Sequence, residues 1–175
     1  MIEYHPECLF QDNHRFALEQ KGNNVLIVIG VNPSTADQNK CDPTMGRVLC
    51  FVNTYNYDGF VMLNLSSERA TRPSQLSLAL DLNMHKENMD IIEKMGNKYP
   101  TADILLAFGN NIERRKYLRE CFKEIYTRLE KHKRWLCIGG KMGMTKLGHP
   151  RHPLYSSTER GLGEMDIDDY ITRNK

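Results

Sequence analysis

Four short apolar runs punctuate the chain: Val25–Gly30 (VLIVIG), Phe60–Leu65 (FVMLNL), Ile104–Gly109 (ILLAFG) and Trp135–Gly139 (WLCIG). None alternates cleanly between apolar and polar positions. Continuous apolar runs of this length suit strands covered on both faces, as in a parallel sheet. Helical stripes lie between them. Asp42 and Pro43 read as a cap and a first-turn residue, and Met45, Val48, Leu49 and Val52 follow at helical spacing. Asn83 is a candidate cap for a helix running through Met89, Ile92 and Met95 and stopping at Gly96. Leu118, Cys121, Phe122, Ile125 and Leu129 form the clearest apolar stripe. Strand and helix in alternation predict a layered α/β sheet, with right-handed crossovers placing helices on both faces.

The two ends depart from that pattern. Cys8–Phe10 and Arg15–Glu19 flank a Gln-Asp-Asn turn, which predicts an N-terminal β-hairpin at a sheet edge. The tail after Leu162 carries Glu164, Asp166, Asp168 and Asp169 and reads as a short capping helix or a loose segment. The expected organisation is one domain over 1–175, divided into a hairpin (1–22), an α/β core (23–160) and an acidic tail (161–175).

Composition narrows the function classes. The chain is 40% hydrophobic and 26% charged, which is ordinary for a globular domain and excludes disordered, collagenous and coiled-coil classes. Its 24 Lys and Arg stand against 22 Asp and Glu, so bulk charge selects no partner. The five cysteines are odd in number and form no C-x-x-C, which favours reduced thiols over a disulfide framework or zinc ribbon. The longest apolar run, Val25–Val31, is too short for a membrane helix, and the N-terminus carries no signal-peptide pattern. A soluble, cytoplasmic protein without membrane association is expected. No cofactor is expected either. His149 and His152 flank Pro150 and share no helix face, so no metal site is expected.

In open parallel sheets, ligands sit at the carboxyl ends of the strands. After the first run comes Asn32-Pro33-Ser34-Thr35-Ala36-Asp37. Ser34 and Asp37 have capping-box spacing, whereas Asn32 held by Pro33 is a polar amide projected at a strand end. The second run holds Asn64 among Met62, Leu63 and Leu65, and a buried amide must find partners. It either ties down a loop or reads the edge of a nucleobase. Arg69 follows in a loop suited to phosphate or carboxylate. The third run ends at Gly109, where the backbone can approach a ligand closely. The fourth leads into a basic, glycine-rich loop holding Arg151, His152, Leu154 and Tyr155, a candidate phosphate contact.

Asn32–Asp37 (NPSTAD), Asp42–Thr44 (DPT), Asn64, Arg69–Leu76, Gly109 and His152–Tyr155 (HPLY), in that order, identify the chain as a member of domain-of-unknown-function family 1643. A more distant resemblance is to the uracil-DNA glycosylase superfamily. Its first-strand G-x-[ND]-P motif is similar to Gly30–Pro33, its second-strand L-L-N to Met62–Asn64, and its final H-P-x-x-L loop to His149–Leu154. That resemblance implies a three-layer α/β/α fold around a central four-stranded parallel sheet. It also implies a water-positioning role for Asn32, base reading by Asn64, and stabilisation of a departing base anion by His152. An Asn in the slot where active glycosylases carry Asp can orient water but cannot take its proton; Asp37 is the candidate substitute. The remaining ligand contacts would come from Pro33, Ser34, Arg69, Gly109, Arg151, Leu154 and Tyr155. The expected partner is a nucleobase, nucleotide or DNA, with hydrolysis of an N-glycosidic bond as the candidate reaction. The alternatives are a hydrolase or transferase acting on free nucleotides, and a non-catalytic module binding nucleic acid or protein.

Overall fold

The computed structural model describes residues 1–132 and 134–174. Its strands are β1 (Glu7–Gln11), β2 (His14–Gln20), β3 (Val25–Gly30), β4 (Gly59–Asn64), β5 (Asp103–Leu106), β6 (Trp135–Ile138) and β7 (Leu162–Glu164). Its α-helices are α1 (Pro43–Thr54), α2 (Leu82–Lys98), α3 (Tyr117–Leu129) and α4 (Ile167–Arg173).

The four apolar runs become β3, β4, β5 and β6, buried at every position. They pair in parallel, and the sheet order is β1-β2-β4-β3-β5-β6-β7. Alternate residues of each run serve opposite faces, because successive side chains of a strand point opposite ways. Ile27, Ile29, Val61, Leu63, Ile104 and Leu106 pack with α2, α3 and Tyr170 of α4. Leu26, Val28, Phe60, Met62 and Leu105 pack with Met45, Val48, Phe51 and Val52 of α1. Each such side chain contributes about 1.5–3 kcal/mol by leaving water, so both helical layers are held by burial.

The sheet extends beyond these four strands to seven. The hairpin is continuous with it, since β2 pairs antiparallel with β4. At the far edge the tail supplies β7, antiparallel to β6, followed by α4. Both additions cover backbone groups that an open parallel run leaves unpaired. The acidic residues of the tail have a local role: Asp166 caps α4 by accepting from Asp169 N, and Asp168 and Asp169 occupy its first turn. Acidic groups there favour the positive end of the helix dipole. The tail as bounded in the sequence ends at Lys175, which lies outside the described residues.

Two helix boundaries also differ from expectation. The cap of α2 is Asp81, which accepts from Asn83 N and Met84 N, so Asn83 lies inside the helix. Gly96 does not stop α2, which continues to Lys98. The missing side chain serves packing: a Cβ at Gly96 would collide with Leu129 of α3. Asp42 caps α1 as expected, accepting from Met45 N at 2.9 Å, with Pro43 in the first turn. No helix is long and apolar enough to cross a membrane among the described residues.

Candidate functional site

The carboxyl ends of β3 and β4 open into a cleft of about 340 Å³. The pairing of these strands continues past their ends, with Leu65 N donating to Gly30 O and Ser66 N to Val31 O, both at 2.9 Å. This holds Gly30 directly beside Asn64. A Cβ on Gly30 would lie 2.6 Å from Met62 Cε and 2.9 Å from Asn64 Oδ1, so the glycine makes room for the amide.

Asn64 is 0% exposed. Its main-chain oxygen accepts from Asn88 Nδ2 at 3.1 Å, while its own Oδ1 and Nδ2 have no protein partner. Among the described residues, the buried side-chain polar atoms without a partner are those two, Arg15 Nε and Asn88 Oδ1. All belong to residues that line the cleft or are bonded to one that does. Buried polar groups left unmade in this way are uncommon and call for a cause. A hollow of similar size between the 141–148 loop and α4 has none of them; its wall instead carries the Arg173–Asp169 ion pair.

Asn32 borders the same cleft and staples two loops. Its Nδ2 donates to Ala70 O at 2.7 Å and Pro33 O at 2.9 Å, and Ala70 N donates back to Pro33 O at 3.0 Å. The donor of this amide is therefore committed, and its Oδ1 is left to accept. Facing it from the fourth loop is His152. Leu154 N donates to His152 Nδ1 at 3.2 Å, which places the ring proton of the neutral imidazole on Nε2. Burial pushes the His152 pKa below its ordinary value, against a smaller opposing pull from the Asp42 carboxylate. At neutral pH, His152 is thus an uncharged donor.

The loop carrying His152 is fixed from α1 and its C-cap: Arg47 Nη2 donates to Ser156 O at 2.6 Å and Tyr55 OH to Thr158 O at 2.7 Å. Ser156 Oγ donates to His152 O at 3.1 Å. Tyr155 stands at the rim, 83% exposed, its ring 5.9 Å from that of His152.

Of the expected residues, Asn32, Ser34, Asn64, His152, Leu154 and Tyr155 meet at this cleft. The others brace it or lie elsewhere. Asp37 is turned into its own loop, where Oδ1 accepts from Asn39 N at 2.8 Å and Lys40 N at 3.0 Å; it is not among the residues around the cavity. No helix begins at Ser34, so the capping box does not form. Ser34 O instead accepts from Arg69 Nη1 at 3.2 Å, and Arg69 thereby ties the loop to the hairpin side. Pro33 is buried and contributes its carbonyl. Gly109 backs onto His152 with φ of +58°, and a Cβ there would lie 3.2 Å from His152 Cβ. Arg151 donates into its own loop, to Gly143 O and Met144 O. His149 does not face the cleft: it is buried between Glu113 (2.7 Å from Nε2) and Tyr170 OH (2.7 Å from Nδ1).

Several lining residues were not among the expected site residues, Arg15, Asp42 and Asn111 among them. Asp42 was read as a cap and as part of the DPT motif, not as a cleft residue, yet its second oxygen also accepts from Ala36 N at 3.3 Å. Arg15 had one signal, a charge set against the apolar Phe16-Ala17-Leu18 of a strand. No group of three or more His, Cys, Asp or Glu suited to a metal occurs among the described residues.

Neither a curated protein nor a solved structure matches the chain. A family model does match, over residues 15–154, and takes in β2 through the His152 turn. The chain belongs to the family described as Protein of unknown function (DUF1643).

Proposed function

We propose that the cleft binds a nucleobase and that Asn64 reads its edge. The observation that carries this reading is the Asn64 side chain, fully buried at the cavity wall with donor and acceptor both unpartnered. A side-chain amide offers one donor and one acceptor side by side, the complement of a base edge. Tyr155 supplies an exposed aromatic ring at the rim for stacking. His152 adds an Nε2 donor.

The likeness of Gly30–Pro33, Met62–Asn64 and the His152 loop to the uracil-DNA glycosylase superfamily agrees with base binding and supplies a second reading, N-glycosidic hydrolysis. One observation favours it: a neutral His152 donor can stabilise the electron pair that leaves with the base nitrogen. In that reaction a water oxygen bonds to the anomeric carbon, the carbon–nitrogen bond breaks, and the water must give up a proton. Asn32 Oδ1 orients such a water but cannot take the proton. Both Asp42 oxygens already accept main-chain N–H groups, and Asp37 faces away. The cleft therefore supports recognition more strongly than turnover.

Titration calorimetry with the free bases and their nucleosides tests the proposal. Binding of at least one base that is lost in Asn64→Leu is the expected result; no binding at millimolar concentration overturns it. Incubation with oligonucleotides carrying uracil, hypoxanthine or mismatched thymine tests hydrolysis. Abasic sites support the second reading, and their absence beside an active control enzyme removes it for those bases.

A further inference from the structure

The proposed base site leaves the guanidinium of Arg15 unused. Arg15 comes from β2, outside the parallel run, and its side chain reaches the cavity wall while remaining 2% exposed. Its Nη1 donates to Ala36 O at 3.0 Å, and its Nε has no partner. A guanidinium carries five N–H donors and is always charged, so burying one whose Nε has no partner is costly. No carboxylate lies within ion-pair distance of it among the described residues.

Its neighbours give the charge no direct ionic partner. Arg69 Nη1 reaches the same Ala36 O, at 3.3 Å, so two guanidiniums converge on one carbonyl. Cys8 and Tyr4 are neutral near pH 7, because burial pushes both the thiol and the phenol up. The carboxylates of this neighbourhood are Asp42, whose two oxygens are engaged by Ala36 N and Met45 N, and Asp37, whose Oδ1 accepts from Asn39 N and Lys40 N. These carboxylates thus accept from main-chain N–H groups, and neither is ion-paired to Arg15.

We infer that Arg15 is an anion subsite that takes the terminal phosphate of a free mononucleotide whose base lies on Asn64. This deepens the proposed function and rests on it for the base. Two features select a free mononucleotide over a strand. First, the cavity of about 340 Å³ is far more than one heterocycle fills, which leaves space for sugar and phosphate. Second, the cation sits in the wall rather than on the surface. A terminal phosphate can end there, whereas a phosphodiester would have to pass through and leave again. Arg15 also matches phosphate geometry through its fork of donors.

The test compares inorganic phosphate, nucleosides, the matching nucleoside 5′-monophosphates and a single-stranded oligonucleotide by calorimetry at low salt, on wild type, Arg15→Gln and Asn64→Leu. The expected result is a 5′-monophosphate bound at least about tenfold more tightly than its nucleoside. Arg15→Gln should erase that ratio and leave nucleoside affinity unchanged. Equal affinity for nucleoside and monophosphate in wild type overturns the inference and leaves base reading standing. Phosphate binding that depends on Arg15, with no nucleoside bound, upholds the subsite and removes the base reading. Tighter binding of the oligonucleotide overturns the choice of a free nucleotide. Should Arg15→Gln fail to fold, thermal unfolding of wild type decides: phosphate must raise Tm where chloride at equal ionic strength does not, and no rise overturns the subsite.

Discussion

Replacing Asn64 by Leu separates stability from function in opposite directions. The two side chains have the same branching and the same number of heavy atoms, so the change removes the polarity while adding some volume, which the adjoining cleft can take. Asn64 is fully buried with Oδ1 and Nδ2 unpartnered, and a buried polar group left unmade costs about 1–3 kcal/mol. The one hydrogen bond at this residue, Asn88 Nδ2 to Asn64 O, uses the main chain and survives. Leu would add contacts to Met62 across Gly30. Stability should therefore rise by about 1–3 kcal/mol. For a domain of this size that is a gain in Tm of about 2–12 °C, at about 2–4 °C per kcal/mol. Base affinity should fall by about 10- to 100-fold, because the edge of the base would be buried without its partners. Urea unfolding followed by circular dichroism reads the first effect and calorimetry the second. A Leu variant destabilised by more than about 1 kcal/mol would refute the reasoning, since it would mean the amide already holds the fold together.

Further outcomes follow from the same geometry. Gly30→Ala places a methyl 2.6 Å from Met62 Cε and 2.9 Å from Asn64 Oδ1, so it should cost about 1–3 kcal/mol by overpacking and weaken base binding; a wild-type Tm would contradict this. Asp42→Ala removes a helix cap and the bond to Ala36 N, with an expected loss of about 1–2 kcal/mol in chemical denaturation, while Asp42→Asn should keep most of it. Stability should fall on acidification. Burial holds the His149 and His152 pKa values below the ordinary 6.5, so the unfolded chain takes up protons first. This contribution is complete above about 6.5 and is lost as pH drops through the folded values. Denaturation midpoints at pH 8 and pH 5.5 measure it, and equal midpoints would contradict it. Tyr170→Phe should cost about 0.5–1.5 kcal/mol through the lost contact to His149 Nδ1, with no change in ligand affinity.

Continuous apolar runs located β3 to β6, because strands buried on both faces have nothing polar to present. The caps at Asp42 and the turn of the hairpin were equally legible, being local chemistry. The Leu162–Glu164 strand was not: three residues with two-fold polarity carry no pattern, and they are strand only because the β6 edge needs a partner. His149 and His152 sit in identical His-Pro dipeptides, and what sends one into the core is the meeting with Glu113 and Tyr170. Asp37 fits a capping box in sequence but bonds to Asn39 and Lys40, since Pro33 through Lys40 forms a loop and no helix. Arg15 was missed for a structural reason. Attention to the carboxyl ends of parallel strands overlooks an antiparallel neighbour, and β2 delivers Arg15 to that same end only through its pairing with β4. Asn64 was the strongest site signal because an amide inside an apolar run is anomalous wherever the strand lies.

The side-chain amide of Asn64 can be watched directly. In a nitrogen–proton correlation spectrum, titration with nucleosides should move the Asn64 Nδ2 resonances more than those of any amide outside the cleft, with saturation at the affinity found by calorimetry. Asn64 resonances that stay fixed while a nucleoside binds would contradict base reading by this residue, and with it the account of the cleft.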